Sequence, residues 1–124
     1  MMQGLALFDT NILIDLFRGR SEAKQALEAW PSQNAISLIT WMEVMVGAKR
    51  YQQEYPTRIA LGAFKVIDIS GEIAERSVSL RQKYGMKLPD AIILATAQIH
   101  RLTLVTRNTK DFAGIPEVVM PYTL

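Results

Sequence analysis

The chain of 124 residues contains no cysteine and a single histidine, His100. These absences exclude disulfide scaffolds, Cys-rich zinc sites, thiolate nucleophiles, two-histidine ribonuclease chemistry and paired-histidine metal motifs. No GxGxxG, GxxxxGK[ST] or GxSxG motif occurs, which removes the usual dinucleotide, P-loop and serine-hydrolase signatures. No run approaches the roughly eighteen apolar residues that a spanning helix needs. The opening run from Met1 to Phe8 lacks a basic flank and meets Asp9 at once, so it does not read as a signal peptide. The expectation is a cytoplasmic protein without membrane contact. What is left for chemistry is carboxylates, hydroxyls, amides and basic side chains.

Composition is otherwise that of one globular domain over residues 1–124, with 49% hydrophobic and 21% charged residues and a net charge of +2. Short runs at Leu5 to Phe8, Ala35 to Leu38, Phe64 to Ile67, Leu102 to Val105 and Val118 to Met120 read as strands, the first four continuous or nearly continuous in apolar residues as expected for strands covered on both faces. Helical spacing lies between them. Ser21 to Trp30 places Ala23, Ala26, Leu27 and Trp30 on one stripe, and Ile73 to Tyr84 does the same with Ile73, Ser77, Leu80 and Tyr84. The segment Leu88 to Arg101 is apolar nearly all round and reads as a helix buried centrally or shared with a second subunit. Strands alternating with helices predict an α/β fold, a three-layer α/β/α arrangement around a central, mostly parallel sheet of four to five strands.

Four acids fall at strand-to-helix corners. Asp9 follows the first strand, and as Asp-Thr-Asn it also suits a helix N-cap. Glu43 follows the second strand, where Thr40-Trp41-Met42-Glu43 is equally a capping box. Asp90, beside Pro89, opens the apolar helix in the manner of ordinary helix starts. Asp111 follows the fourth strand, in a stretch that a turn or short capped helix would explain. Each is unremarkable alone, yet parallel topology gathers such corners along the carboxyl edge of the sheet, where α/β folds keep their sites. Like charges about 4 Å apart repel by roughly 4 kcal/mol at an effective dielectric of 20. A hard divalent cation relieves that repulsion, and oxygen ligands without His or Cys suit Mg2+ or Mn2+. Such an ion can neutralise a phosphodiester and orient water for in-line attack.

The ordered motifs resemble the PIN domain, and within it the VapC-type toxins of prokaryotic toxin–antitoxin pairs. The matching stretches are Asp9-Thr10-Asn11 with Asp15 beyond, Ile39-Thr40 followed by Glu43, Leu88-Pro89-Asp90-Ala91 leading into Ala95-Thr96-Ala97, and Thr106-Arg107-Asn108 through Asp111-Phe112. The resemblance implies a Mg2+- or Mn2+-dependent endoribonuclease acting on RNA such as tRNA or rRNA. Its acidic quartet maps onto Asp9, Glu43, Asp90 and Asp111, with Thr106, Asn108 and Asn11 lining the pocket. Asp9 and Asp90 rank as direct ligands, Glu43 as the group that orients or activates water, and Asp111 as acting through a second ion or water. Many members carry an acid two residues after the threonine, whereas this chain has Asn108, so either Asp111 supplies the charge or the site has three acids. Trp30, Trp41, Met42, Met45, Tyr51 and Tyr55 concentrate large apolar side chains in the first half, and most are expected in the core; the resemblance further implies a groove in this half that holds a cognate antitoxin protein, a contact such residues suit, and a homodimer.

Other readings stay open at this stage: a PIN nuclease of RNA processing, a PIN fold that only binds, or a phospho-receiver domain, in which Glu43 and Asp90 would have no role. Arg107, Lys110 and Lys87 are candidates for RNA phosphate contacts. Asp15 is expected to pair with a base, Asp68 to start a helix, and His100 to face the carbonyls at a helix end.

Overall fold

The computed structural model describes residues 5–31 and 34–124; residues 1–4, the head of the N-terminal run, and residues 32–33 lie outside the described residues. Strands β1 (Ala6–Phe8), β2 (Ala35–Ser37), β3 (Lys65–Ile67), β4 (Thr103–Val105) and β5 (Val118–Val119) form one sheet in the order β3-β2-β1-β4-β5. Every neighbouring pair is parallel, so the sheet is parallel throughout.

Each strand is one residue shorter than the apolar run that marks it. The residues trimmed from three of the runs belong to helix boundaries. Ser37 accepts from the Ile39 amide and starts a helix at Leu38, while Phe64 N–H closes onto Leu61 and Leu102 N–H onto Ala97.

Seven helices are present among the described residues: α1 (Thr10–Phe17), α2 (Ser21–Glu28), α3 (Leu38–Arg50), α4 (Glu54–Leu61), α5 (Gly71–Tyr84), α6 (Leu88–His100) and the short α7 (Thr109–Phe112). Alternation along the strands splits the core into two layers. Leu7, Ala35 and Leu104 point to one face and pack with Ile73, Leu80, Ile93, Leu94 and Phe112 from α5, α6 and α7. Ala6, Phe8, Ile36 and Val105 point to the other and pack with Ile12, Leu13, Ala23, Val44, Met45 and Leu61 from α1 to α4. Phe8 meets Phe64 edge to face there, with ring centroids 6.5 Å apart.

The expected helical stripes are buried, except that Leu27 is half-buried and Tyr84 exposed. Tyr84 is 40% exposed because α5 ends at it, and Gly85 turns the chain into the left-handed region (φ 69°). Helix α6 is buried along Ala91 and Ile93 to Ala97 and stops at His100, where Arg101 adopts φ 55°. Of the large side chains in the first half, Trp30 and Met45 are core, whereas Met42, Tyr51 and Tyr55 are exposed.

Candidate active site

The strand order reverses between β1 and β4, which places a crevice at their carboxyl ends. Asp9 occupies it. It caps α1, is 3% exposed, and fills its oxygens with donors: the Thr10 amide to Oδ1 at 2.7 Å, the Thr106 hydroxyl to Oδ2 at 2.7 Å and the Asn11 amide to Oδ2 at 3.3 Å. Burial raises the pKa of Asp9 above the ordinary carboxylate range, the bonds from Thr106 and Thr10 oppose that rise, and the charge of Glu43 adds to it. The cap reading is met, and the same side chain lies at the end of β1 in the crevice.

Asp90 stands in the first turn of α6, behind Pro89. Its pKa is pushed up to about 6, first by burial and then by the charges of Asp9 and Asp111, a hydrogen-bond contact with Asp111 and the charge of Glu43. The topology therefore brings the four acids into one electrostatic neighbourhood. It is Asp111 that acts on Asp90 as the further charge; Asn108 serves a different end. Asn108 caps α7, accepting from the Asp111 amide at 3.1 Å and donating to Asp111 Oδ2 at 2.9 Å, so it fixes the carboxylate of Asp111 in place.

The capping-box account of Glu43 does not hold. Ser37 caps α3, which puts Thr40 inside the first turn with its hydroxyl free to face α1. Thr10 donates its hydroxyl to Glu43 Oε1 at 2.8 Å and lies 2.9 Å from the Thr40 hydroxyl. A hydroxyl carries one proton, so Thr40 donates to Thr10 and Thr10 to Glu43. No sequence pattern specifies this chain of hydroxyls; its only signal is one threonine at each of the two corners, Thr10 and Thr40.

All donors in the crevice are oxygen or amide groups, the chemistry of a hard divalent cation. Among the described residues, no three acids meet at a spacing that would hold an ion by direct bonds alone. That suits an ion such as Mg2+, which is commonly bound by one or two carboxylates and keeps several of its waters.

The model of the PIN domain family matches residues 6–118. The chain belongs to the PIN domain family. Ribonuclease VapC1 of Methanocaldococcus jannaschii is 34% identical over 116 residues, covering 90% of this chain and 81% of that protein. A chain of a toxin–antitoxin complex from Klebsiella pneumoniae superposes with a TM-score of 0.93 at 78% identity, over 96% of this chain and 99% of that one. VapBC2 from Rickettsia felis, bound to a DNA fragment from its promoter, shares the fold at a TM-score of 0.77 and 23% identity, over 94% of this chain and 96% of that one. A phospho-receiver reading is thereby set aside.

Two further features of this PIN domain bear on function. Arg107 does not present a free guanidinium to the crevice. Its Nε and Nη2 fork onto Asp15, which also accepts from the Tyr122 hydroxyl at 2.8 Å. The expected role of Asp15 as a partner for a base is met by Arg107, whose Nε and Nη2 are directed at that carboxylate while Nη1 is not engaged by it. Lys87 and Lys110 remain exposed beside the acids. Next to Glu43, a groove of about 370 Å3 opens between α1, α3 and α4, lined by Ile14, Phe17, Val44, Ala48, Tyr51 and Pro56.

Proposed function

We propose that this PIN domain, as one unit over residues 1–124, is the endoribonuclease toxin of a type II toxin–antitoxin pair, cutting phosphodiester bonds in tRNA or rRNA to arrest translation. The observation that carries the reading is the gathering of Asp9, Asp90, Asp111 and Glu43 at the switch point of the sheet, where burial and the neighbouring charges push the Asp90 carboxyl up to about 6. An excess of buried negative charge on oxygen donors is what a divalent cation relieves.

Asp9 and Asp90 would hold Mg2+ or Mn2+, with Asp111 and Glu43 completing the set through water. The ion supplies charge neutralisation and Lewis acidity at the phosphoryl group. Glu43, exposed at the rim and oriented by Thr10, would accept a proton from the attacking water. Thr106, Asn11 and Asn108 keep Asp9 and Asp111 in register. Lys87 and Lys110 offer charge for RNA phosphates.

The apolar groove beside Glu43, with Tyr55 and Ile59 exposed on α4, suits a segment of the antitoxin. The active form is taken as a cytoplasmic homodimer. Asp9→Asn and Asp90→Asn should abolish RNA cleavage and growth arrest while circular dichroism stays native. RNA ends mapped after brief induction, with and without the antitoxin, identify the substrate. Wild-type cleavage by either purified variant would remove the acids from the mechanism.

A further inference from the structure

Asp15 sits outside the acid cluster and is nearly inaccessible, at 1% exposure. It lies six residues after Asp9 on α1, which is about 9 Å along the helix axis at 1.5 Å per residue. A lone buried carboxylate is costly, and this one is matched by three donors: two from Arg107 and the hydroxyl of Tyr122. Burial works to raise its pKa, but the bonds from Arg107 and Tyr122 and the Arg107 charge outweigh that, and the pKa lies below the ordinary range.

The partners of Asp15 are informative because of what adjoins them. Arg107 stands between Thr106, which donates to Asp9, and Asn108, which holds Asp111. Its own amide donates to Asn11 Oδ1 at 3.3 Å, and the Asn108 amide donates to Thr106 Oγ1 at 3.0 Å. Helix α1 thus grips this loop at two places, through Asp9 and Asn11 at its start and through Asp15 further along. Tyr122 comes from the segment after β5, where Pro121, Thr123 and Leu124 are exposed and Met120 and Tyr122 are partly buried. Its hydroxyl bond to Asp15 ties the C-terminal segment into the same knot.

We propose that Arg107 and Tyr122 are positioning residues for RNA cleavage, acting through Asp15 to hold the Thr106–Asp111 loop, and that neither contacts RNA phosphate. This rests on the nuclease reading above. An arginine whose fork is spent on a buried carboxylate cannot turn to phosphate without leaving that charge unpaired.

The test compares Arg107→Met, Arg107→Lys, Tyr122→Phe and Asp15→Asn by steady-state cleavage of RNA over a salt series, together with amide hydrogen exchange. Arg107→Met should lower kcat by about 100-fold, the scale of a roughly 1 Å misplacement of catalytic groups. Tyr122→Phe, which keeps the ring and loses one hydrogen bond, should lower it by about 3- to 10-fold. KM and the salt slope should stay at wild-type values in both, and Arg107→Lys should rescue only in part because an ammonium cannot fork. Adding Asp15→Asn to Arg107→Met should bring little further loss.

In Tyr122→Phe, exchange should quicken at the Arg107 and Asn108 amides and stay native in β1 and α6. A raised KM with unchanged kcat, and a salt slope reduced by about one, would make Arg107 a phosphate ligand and overturn the proposal. If the wild-type protein cleaves no RNA, the nuclease reading fails, while unchanged exchange at Arg107 and Asn108 in Tyr122→Phe still overturns the clamp.

Discussion

The Thr106 hydroxyl donates to Asp9 Oδ2 at 2.7 Å, joining the ends of two adjacent strands that are 97 residues apart in the chain. Both residues are buried. Thr106→Val keeps the shape and removes the donor, so Asp9 is left short of a hydrogen bond inside a buried site. The expected cost is about 1–3 kcal/mol of stability, read as a lower urea midpoint at unchanged slope. Because this bond opposes the rise of the Asp9 pKa, its loss moves that pKa further up. Cleavage by the variant should therefore recover as pH rises more than the wild-type activity does. Thr106→Ser should restore both properties.

Asp90 predicts a pH dependence with a defined sign. Its folded pKa, about 6, lies above the ordinary 3.8. Protonated in both states at low pH, it costs nothing there; as pH rises from about 4 to 6 the unfolded chain ionises first, and stability is lost. In metal-free protein, Asp90→Asn should be more stable than wild type above pH 6 by about 1–2 kcal/mol, since solvent screens part of the repulsion, and equal to it near pH 4. Mg2+ or Mn2+ should raise the wild-type Tm at pH 7.5 and leave the variant nearly unmoved. Equal stability of the two proteins at both pH values would mean that Asp90 carries no excess charge.

Fold and site were legible to different depths. Burial on both faces makes the central parallel strands β1, β2 and β4 read as nearly unbroken apolar runs, while the edge strands β3, with exposed Lys65, and β5 are less covered, and the acids followed because topology sends strand ends to one edge. Helix α4 was not anticipated: Pro56 in its first turn and the exposed Tyr55 and Ile59 blur its apolar spacing. The ion pair of Asp15 with Arg107 was half legible. A buried acid on α1 needed a base, but 92 residues separate the partners and nothing local names which one. The tie to Tyr122 lies beyond any pattern in the sequence, since it depends on where the segment after β5 comes to rest.

Asp111 and Asn108 can be separated by mutation. Asn108 caps α7 and donates to Asp111, whereas Asp111 acts by charge on Asp90. Asp111→Asn should depress metal-dependent cleavage more than Asn108→Ala, and should lower the pKa of Asp90 because a repulsive neighbour is gone. Asn108→Ala should cost about 0.5–2 kcal/mol of stability through the lost cap. Single-turnover rates and carboxyl chemical shifts across pH measure the two effects. A larger loss in Asn108→Ala, with native stability, would transfer the fourth position of the site to Asn108.

The hydroxyl chain from Thr40 through Thr10 to Glu43 makes the last prediction. Thr40 is buried, and its proton supports Thr10, which in turn fixes an otherwise mobile, exposed glutamate at the rim of the crevice. A single neutral hydrogen bond contributes about 0.5–1.5 kcal/mol, or roughly 2- to 12-fold in a rate that depends on the geometry it holds. Thr10→Val should therefore lower kcat by about 10-fold with KM unchanged, and Thr40→Val by less, because Thr10 can still reach Glu43. Glu43→Gln should remove the capacity to take a proton altogether, and adding Thr10→Val to it should do little more. Additive losses in that double variant would mean that Thr10 acts on the reaction by a route other than Glu43.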